Sequence, residues 1–180
     1  MTTAIGSEGT AVMPICRYSQ TYSKPTETWN SGSSVTINFL QDDVTGHYGG
    51  HCEFSISYDG GKTFVVLKQV LKHCFYNGPS NSDVPQVFNY SVDLPANLPG
   101  SNKAVFAWTW VNASGNREYY MNCADIAIVG GAGSFTGKQM TIANYPGYPT
   151  IPEFLGNYNT GLQYYTNGTQ VTVSGPGYNG

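Results

Sequence analysis

The chain has 180 residues, of which 11% are charged and 40% hydrophobic, with a net charge of −3. That length supports one domain with its own core and makes two unlike it. Eight Lys and Arg, scattered along the chain, exclude the clustered cationic surface that phosphate backbones require.

Gly, Pro and Tyr are abundant at 22, 10 and 14 residues. Such a composition, with an uncharged polar surface, describes a secreted all-β protein suited to carbohydrate. Period-2 alternation dominates, and no window has convincing helical periodicity. Val35, Ile37 and Phe39 alternate with Thr36 and Asn38, which predicts a first strand. Phe54, Ile56 and Tyr58 alternate with Ser55 and Ser57, and Phe64 to Leu71 supplies a second hairpin arm. The turn between them is Asp59-Gly60-Gly61-Lys62, whose glycines supply positive φ. Phe88, Tyr90, Val92 and Leu94 form another alternating run, stopped by Pro95 and Pro99. Ala104 to Val111 is apolar on both faces and reads as a central strand, and Tyr119 to Val129 follows after Asn112-Ala-Ser-Gly-Asn116. Short strands separated by turns predict an all-β, immunoglobulin- or fibronectin-III-like sandwich. The expected layout is one domain over residues 1–180. Its core takes about 1–130, and a wrapping Gly/Tyr/Pro-rich extension takes about 131–180. That extension has short apolar pieces at Met140-Thr-Ile-Ala143 and Val171-Thr-Val173 and is expected to add one or two strands, and its last residues, from Ser174, read as the start of a linker.

Four cysteines fit two disulfides, with three possible pairings from sequence alone. Free thiols in a cytosolic protein are the alternative. Sequons at Asn89, Asn112 and Asn167 favour the oxidising compartment and are the candidate glycosylation sites. No signal peptide and no bilayer-length apolar run are present, so secretion implies a leader already removed.

Two segments carry the chemistry. His47-Tyr-Gly-Gly-His-Cys52 places an imidazole before a glycine pair and a cysteine. Asn116-Arg-Glu-Tyr-Tyr-Met-Asn-Cys123 places Glu118 and Tyr120 on one strand face and Tyr119 on the other. The pair of motifs resembles the chitin-active copper monooxygenases of auxiliary activity family eleven, over roughly residues 30 to 130, with Pro14-Ile-Cys16 as a weaker anchor. The resemblance implies one copper ion held by a loop His, here His47, by an amino-terminal His, and by an axial Tyr, here Tyr120. It implies that Glu118 sits beside the oxygen-binding position, as a group that orients and supplies protons. It implies the pairings Cys16–Cys123 and Cys52–Cys74. It also implies an insoluble polysaccharide substrate, chitin first, with an external electron donor and a monomeric protein. The first residue is Met1, so the second imidazole is expected from a His immediately preceding it.

Other constellations are weaker. His47, His51, Cys52, His73 and Cys74 raise zinc, but paired cysteines are not thiolates and the three His lack a standard zinc spacing. His51 and His73 then read as exposed or capping imidazoles beside a disulfide. Ser55 to Phe64 fits the Asp-box hairpin of sialidase-type propellers, where the Asp braces a turn. A single copy favours the turn over a propeller. Asp42–Asp43, a possible carboxylate pair, reads as a solvated loop. The tyrosines of the extension (Tyr145, Tyr148, Tyr158, Tyr164, Tyr165, Tyr178) are expected mainly to cover the core, with a sugar-stacking surface as the alternative. Two functional expectations result: a copper-dependent polysaccharide monooxygenase, or a non-catalytic relative that binds a wall polysaccharide.

Overall fold

The computed structural model describes residues 4–7, 12–17, 24–40, 47–78 and 84–180. The Asp42–Asp43 pair lies outside them, as does Met1. The protein is an all-β sandwich organised around one six-stranded sheet. Its path runs β1 (Gly6–Ser7), β8 (Glu118–Val129), β7 (Ser101–Asn112), β4 (Gly50–Ser57) and β5 (Val65–Val70), with β2 (Glu27–Asn30) pairing parallel to β8. β3 (Ser34–Asn38) and β6 (Asn89–Asp93) form a two-stranded antiparallel sheet. β9 (Gly133–Lys138) and β10 (Gln170–Gly175) form another. The central position of β7 matches its sequence, since apolar residues on both faces suit a strand covered on both.

Two cores lie on opposite faces of the six-stranded sheet. On one face, Phe54, Phe106, Trp108, Trp110 and Tyr120 pack with Tyr90 and Val92 of β6. Phe39 wedges among Phe75, Tyr90 and Trp108 with ring centroids 5.0–6.0 Å apart, a tilted or edge-on geometry that suits ring quadrupoles. On the other face, Val105, Ala107, Tyr119 and Met121 meet Ile5, Met140, Ile151, Phe154 and Tyr165. The 131–180 segment therefore lies over the second face.

That cover changes the reading of β4. Phe54, Ile56 and Tyr58 alternate there with Ser55 and Ser57, the pattern of a strand with one polar face. Every residue from Gly50 to Ser57 is buried, and the extension meets the polar side at His51 and Glu53 through Thr160, Lys138 and Thr141. Met140 to Ala143 is not a strand, whereas β9, β2 and a short helix α1 (Leu162–Thr166) form where periodicity gave no signal. The Asp59 turn matches its structural reading. Gly60 and Gly61 have φ of 74° and 84°. Asp59 Oδ1 accepts hydrogen bonds from the Ser57 hydroxyl at 2.7 Å and the Lys62 and Thr63 amides at 3.1 and 2.9 Å. Those donors hold the Asp59 carboxyl below its usual range, although burial alone would raise it.

Both disulfides form as the family resemblance implied, Cys16–Cys123 and Cys52–Cys74, across 107 and 22 residues. In a chain-entropy account these closures contribute about 5 and about 3 kcal/mol. The first clips the 3-10 turn Ile15–Arg17 onto β8. The second ties β4 to the segment after β5.

Candidate active site

The His47 loop is built by backbone freedom. Tyr48, Gly49 and Gly50 have successive φ of 55°, 93° and 117°, all left-handed. A Cβ on Gly50 would collide with the Val111 carbonyl, and one on Gly49 would lie 2.9 Å from the Lys72 carbonyl. Glycine is required there. The loop is tied to β7 from both sides. The Trp110 indole N–H donates to Gly49 O at 3.0 Å, and His47 O accepts the Ala113 and Ser114 amides, each at 3.1 Å.

The opposing wall is the start of β8. Strand alternation sends Tyr119 into the second core, where its hydroxyl donates to Thr141 O at 2.8 Å. Glu118 and Tyr120 point the other way, and Tyr120 Oη donates to Glu118 Oε2 at 2.8 Å. His47 Nε2 lies 3.5 Å from Tyr120 Oη and 3.9 Å from Glu118 Oε2. Trp110 floors the group, its ring 4.9 Å from Tyr120 and 6.0 Å from His47. His47 is about one-third exposed and Glu118 about one-sixth, so both reach solvent, whereas Tyr120 is buried. Burial, then its bond to Glu118, pushes the Tyr120 phenol well above its ordinary value. It stays protonated, spends its hydrogen on Glu118, and leaves an oxygen lone pair available toward His47.

Imidazole, carboxylate and phenol thus share one solvent-open pocket, and this donor set fits one side of a tetragonal Cu(II) site. Among the described residues there is no group of three or more His, Cys, Asp and Glu that could hold a metal.

The turn between β7 and β8 carries residues that sequence reading missed. Asn112 Nδ2 donates to the Ser114 and Asn116 carbonyls at 2.6 and 2.9 Å and shapes the turn. At its tip Gly115 packs on His47, since a Cβ there would lie 3.0 Å from Nδ1. The extension holds the turn from behind: Glu153 accepts the Gly115 amide at 2.8 Å, and Arg117 donates to the Gly115, Asn112 and Ile151 carbonyls. No local signal marks Glu153, which lies 38 residues from Gly115.

The remaining candidates fall elsewhere. His51 is fully buried rather than exposed. Its Nδ1 accepts the Lys72 amide at 2.9 Å, so Nε2 carries the hydrogen donated to Thr160 O at 2.8 Å. Burial lowers its pKa to about 4, against the opposing effect of the Thr160 bond. Both ring nitrogens are committed, so His51 is not a metal ligand. The His73 ring packs 4.6 Å from that of Tyr158, and burial lowers its pKa also. With Cys52 and Cys74 paired, the zinc reading has no thiolates. Asn89 and Asn167 are exposed, whereas Asn112 is fully buried and out of a glycosyltransferase's reach in the folded chain. Of the tail tyrosines, Tyr165 is core and Tyr145, Tyr158 and Tyr178 are partly buried, while Tyr148 and Tyr164 are exposed.

No family model matches the chain. Curated relatives do. AA11 family lytic polysaccharide monooxygenase A of Aspergillus fumigatus is 37% identical over 134 residues, 74% of this chain and 55% of that protein. AA11 family lytic polysaccharide monooxygenase B of Aspergillus fumigatus is 38% identical over 95 residues, 48% of this chain and 22% of that protein. An AA11 family lytic polysaccharide monooxygenase of Aspergillus oryzae is 32% identical, over 71% of this chain and 32% of that protein. The chain spans about half the length of the first of these and less of the others. Over most of its own length, then, this chain resembles the AA11 lytic polysaccharide monooxygenases.

Proposed function

We propose that this chain is the oxidising domain of a copper-dependent polysaccharide monooxygenase acting on an insoluble glycan, with chitin as the first substrate to try. The observation that carries this reading is the convergence of His47, Glu118 and Tyr120 within 2.8–3.9 Å of one another at a solvent-open strand end. His47 would hold the copper, with Tyr120 and Glu118 beside it. A further nitrogen donor would come from beyond the described residues. Copper, when bound and reduced, supplies activation of dioxygen or peroxide and attack on an otherwise inert C–H bond.

This chain's own residues do the rest. The Trp110 ring and the buried Tyr120 ring exclude water from the inner side of the group. Glu118 Oε2 accepts the phenol proton and so fixes the Tyr120 rotamer. It also places a carboxylate beside His47 that can pass a proton to or from the open face. The Asn112 and Gly115 turn holds the His47 ring by contact. The two disulfides fit a secreted protein, and no helix is long and apolar enough to cross a membrane among the described residues. An external electron donor completes the scheme.

A second reading keeps the fold without the oxidation. It draws on the single imidazole in the described donor set, and makes the chain a polysaccharide-binding relative. Copper titration of the mature protein, followed by electron paramagnetic resonance, separates the two. The oxidising reading expects a one-to-one tetragonal spectrum with nitrogen coupling, lost in His47→Ala, and oxidised oligosaccharides released from chitin with a reductant. Absence of stoichiometric copper, or a spectrum unchanged in His47→Ala, overturns it in favour of the second.

A further inference from the structure

Arg117, which donates to Gly115 O, also borders a cleft that the chemistry above does not use. Arg117, Asn144, Tyr145, Gly147, Tyr148 and Thr150 line it, and its volume is about 310 Å³. That is the lower end of the range for small-molecule pockets, room for a ligand of one or two rings.

The walls are fixed in place. Asn144 takes a left-handed φ of 53°, donates from Nδ2 to Glu118 O at 3.1 Å, and accepts the Ile151 amide on Oδ1 at 2.8 Å. The 144–151 loop is therefore anchored to the first residue of β8, the same residue whose side chain serves the His47 pocket. The Tyr148 amide donates to Tyr145 O at 3.0 Å and closes a tight turn, with Gly147 at a φ of 83°. Tyr145 is pinned by its hydroxyl, which donates to Met13 O at 2.9 Å. Tyr148 stands beside it with ring centroids 6.1 Å apart, and is 48% exposed.

The chemistry of the lining selects its occupant. No carboxylate faces the cleft, and its one charge, Arg117, already donates to the Gly115, Asn112 and Ile151 carbonyls. A charged ligand finds no dedicated partner there. What the cleft offers is the exposed Tyr148 ring face beside the Thr150 hydroxyl and the backbone of the 145–148 turn. Those features suit a neutral ring with an apolar face and a rim of hydroxyls. We propose that this cleft is a sugar subsite that takes one neutral pyranose unit of a polysaccharide chain, stacked on Tyr148. Arg117 of the cleft wall donates to Gly115 O, and the exposed Gly115 packs on His47. A glycan strand that fills the cleft and continues over the Gly115 turn leads toward His47 and Glu118. The assignment rests on the polysaccharide part of the function proposed above, and needs no bound metal.

The test is binding of the chain, without added copper, to chitin, cellulose and β-glucan particles. A nuclear magnetic resonance titration with soluble N-acetylglucosamine and glucose hexamers accompanies it. The subsite expects shifts in the 144–150 amides with one of the hexamers. It expects roughly tenfold weaker binding in Tyr148→Ala, and a comparable loss in Thr150→Tyr, which fills the cleft. Both variants should keep the parent's thermal unfolding and its copper spectrum, since neither residue touches His47. His47→Ala should bind glycan within twofold of the parent. Unchanged binding in both cleft variants, a titration that spares residues 144–150, or a parent that binds no glycan overturns the subsite. Glycan binding lost in Tyr148→Ala, in a protein that takes up no stoichiometric copper, upholds the subsite and sinks the oxidation.

Discussion

β4 has opposite chemistry on its two sides, and both sides are sealed from water. Cys52, Phe54 and Ile56 enter the aromatic core between the main sheet and the β3–β6 pair. His51, Glu53, Ser55 and Ser57 point the other way and are fully buried, the first two against the C-terminal extension. The aromatic side is held by area, which is insensitive to pH and tolerant of small displacements. On the polar side, His51 and Glu53 are held by partners, each of which must be present. Glu53 accepts Gln69, Lys138 and Thr141, through Lys138 Nζ at 2.8 Å and the Thr141 amide at 2.6 Å among others. The extension supplies two of those three residues and also Thr160, the partner of His51. Covering a sheet with a loop-rich segment thus trades hydrophobic area for a network that works only complete.

The largest expected effects distinguish neighbours on opposite faces. Phe54→Ala and Glu53→Ala should each cost about 3–5 kcal/mol in denaturant melts, the first by a cavity, the second by stranding Lys138, which is only 15% exposed. Their rescue should differ. Adding Lys138→Met to Glu53→Ala removes the unpaired charge and should recover about half of the loss or more. Nothing equivalent restores Phe54→Ala. A double variant no more stable than Glu53→Ala alone would mean that the polar side is not held by charge pairing.

The next effect is a dependence on pH. His51 has a folded pKa of about 4 against an ordinary 6.5, so the unfolded chain binds the proton more readily. Above about pH 6.5 both states are neutral and the full stability is present. Between 6.5 and 4 the unfolded state gains protons first, and stability falls by about 3 kcal/mol; below 4 this contribution is flat. Burial lowers the His73 pKa in the same direction. Unfolding free energies measured from pH 7 to pH 4 should show that slope, and His51→Gln should remove most of it while lowering stability at pH 7. An unchanged slope in His51→Gln would place the titration elsewhere.

The same contrast explains what could be read in advance. Apolar alternation at Val35, Ile37 and Phe39, at Phe54 and Ile56, and at Tyr90 and Val92 marks one face of a sandwich, and the strands lie there. Glu118 and Tyr120 could be placed together because strand period alone puts residues two apart on one face, and the sequence that flanks His47 carried the family resemblance. The polar face had no such signal. Ser55 and Ser57 look solvent-facing from their alternation, yet both are fully buried. His51 looks like a surface imidazole until Thr160, 109 residues away, accepts its hydrogen. Glu153 and Arg117 brace the His47 turn through contacts set by the path of the extension, and Gly- and Tyr-rich loops have no periodicity from which to read a path. Composition separates a packed face from an open one only when the covering segment is itself patterned.

The smallest effect concerns Ser55, and its sign is the informative part. The Ser55 hydroxyl is buried on the polar side and has no hydrogen-bond partner among the described residues, whereas Ser57 on the same side donates to Asp59. A buried hydroxyl without a partner carries its desolvation cost with nothing returned. Ser55→Ala removes that cost, leaves a void of a single oxygen, and keeps a residue small enough for the closely packed extension. It should raise stability by about 1 kcal/mol, whereas Ser57→Ala, which strips Asp59 of a donor and the Gly61 amide of its 3.0 Å acceptor, should lower it by about as much. Paired thermal or denaturant melts of the two variants read this directly. A loss in Ser55→Ala would mean that water or an undescribed residue completes its hydrogen bond, and that this part of the polar face, too, is held by a partner.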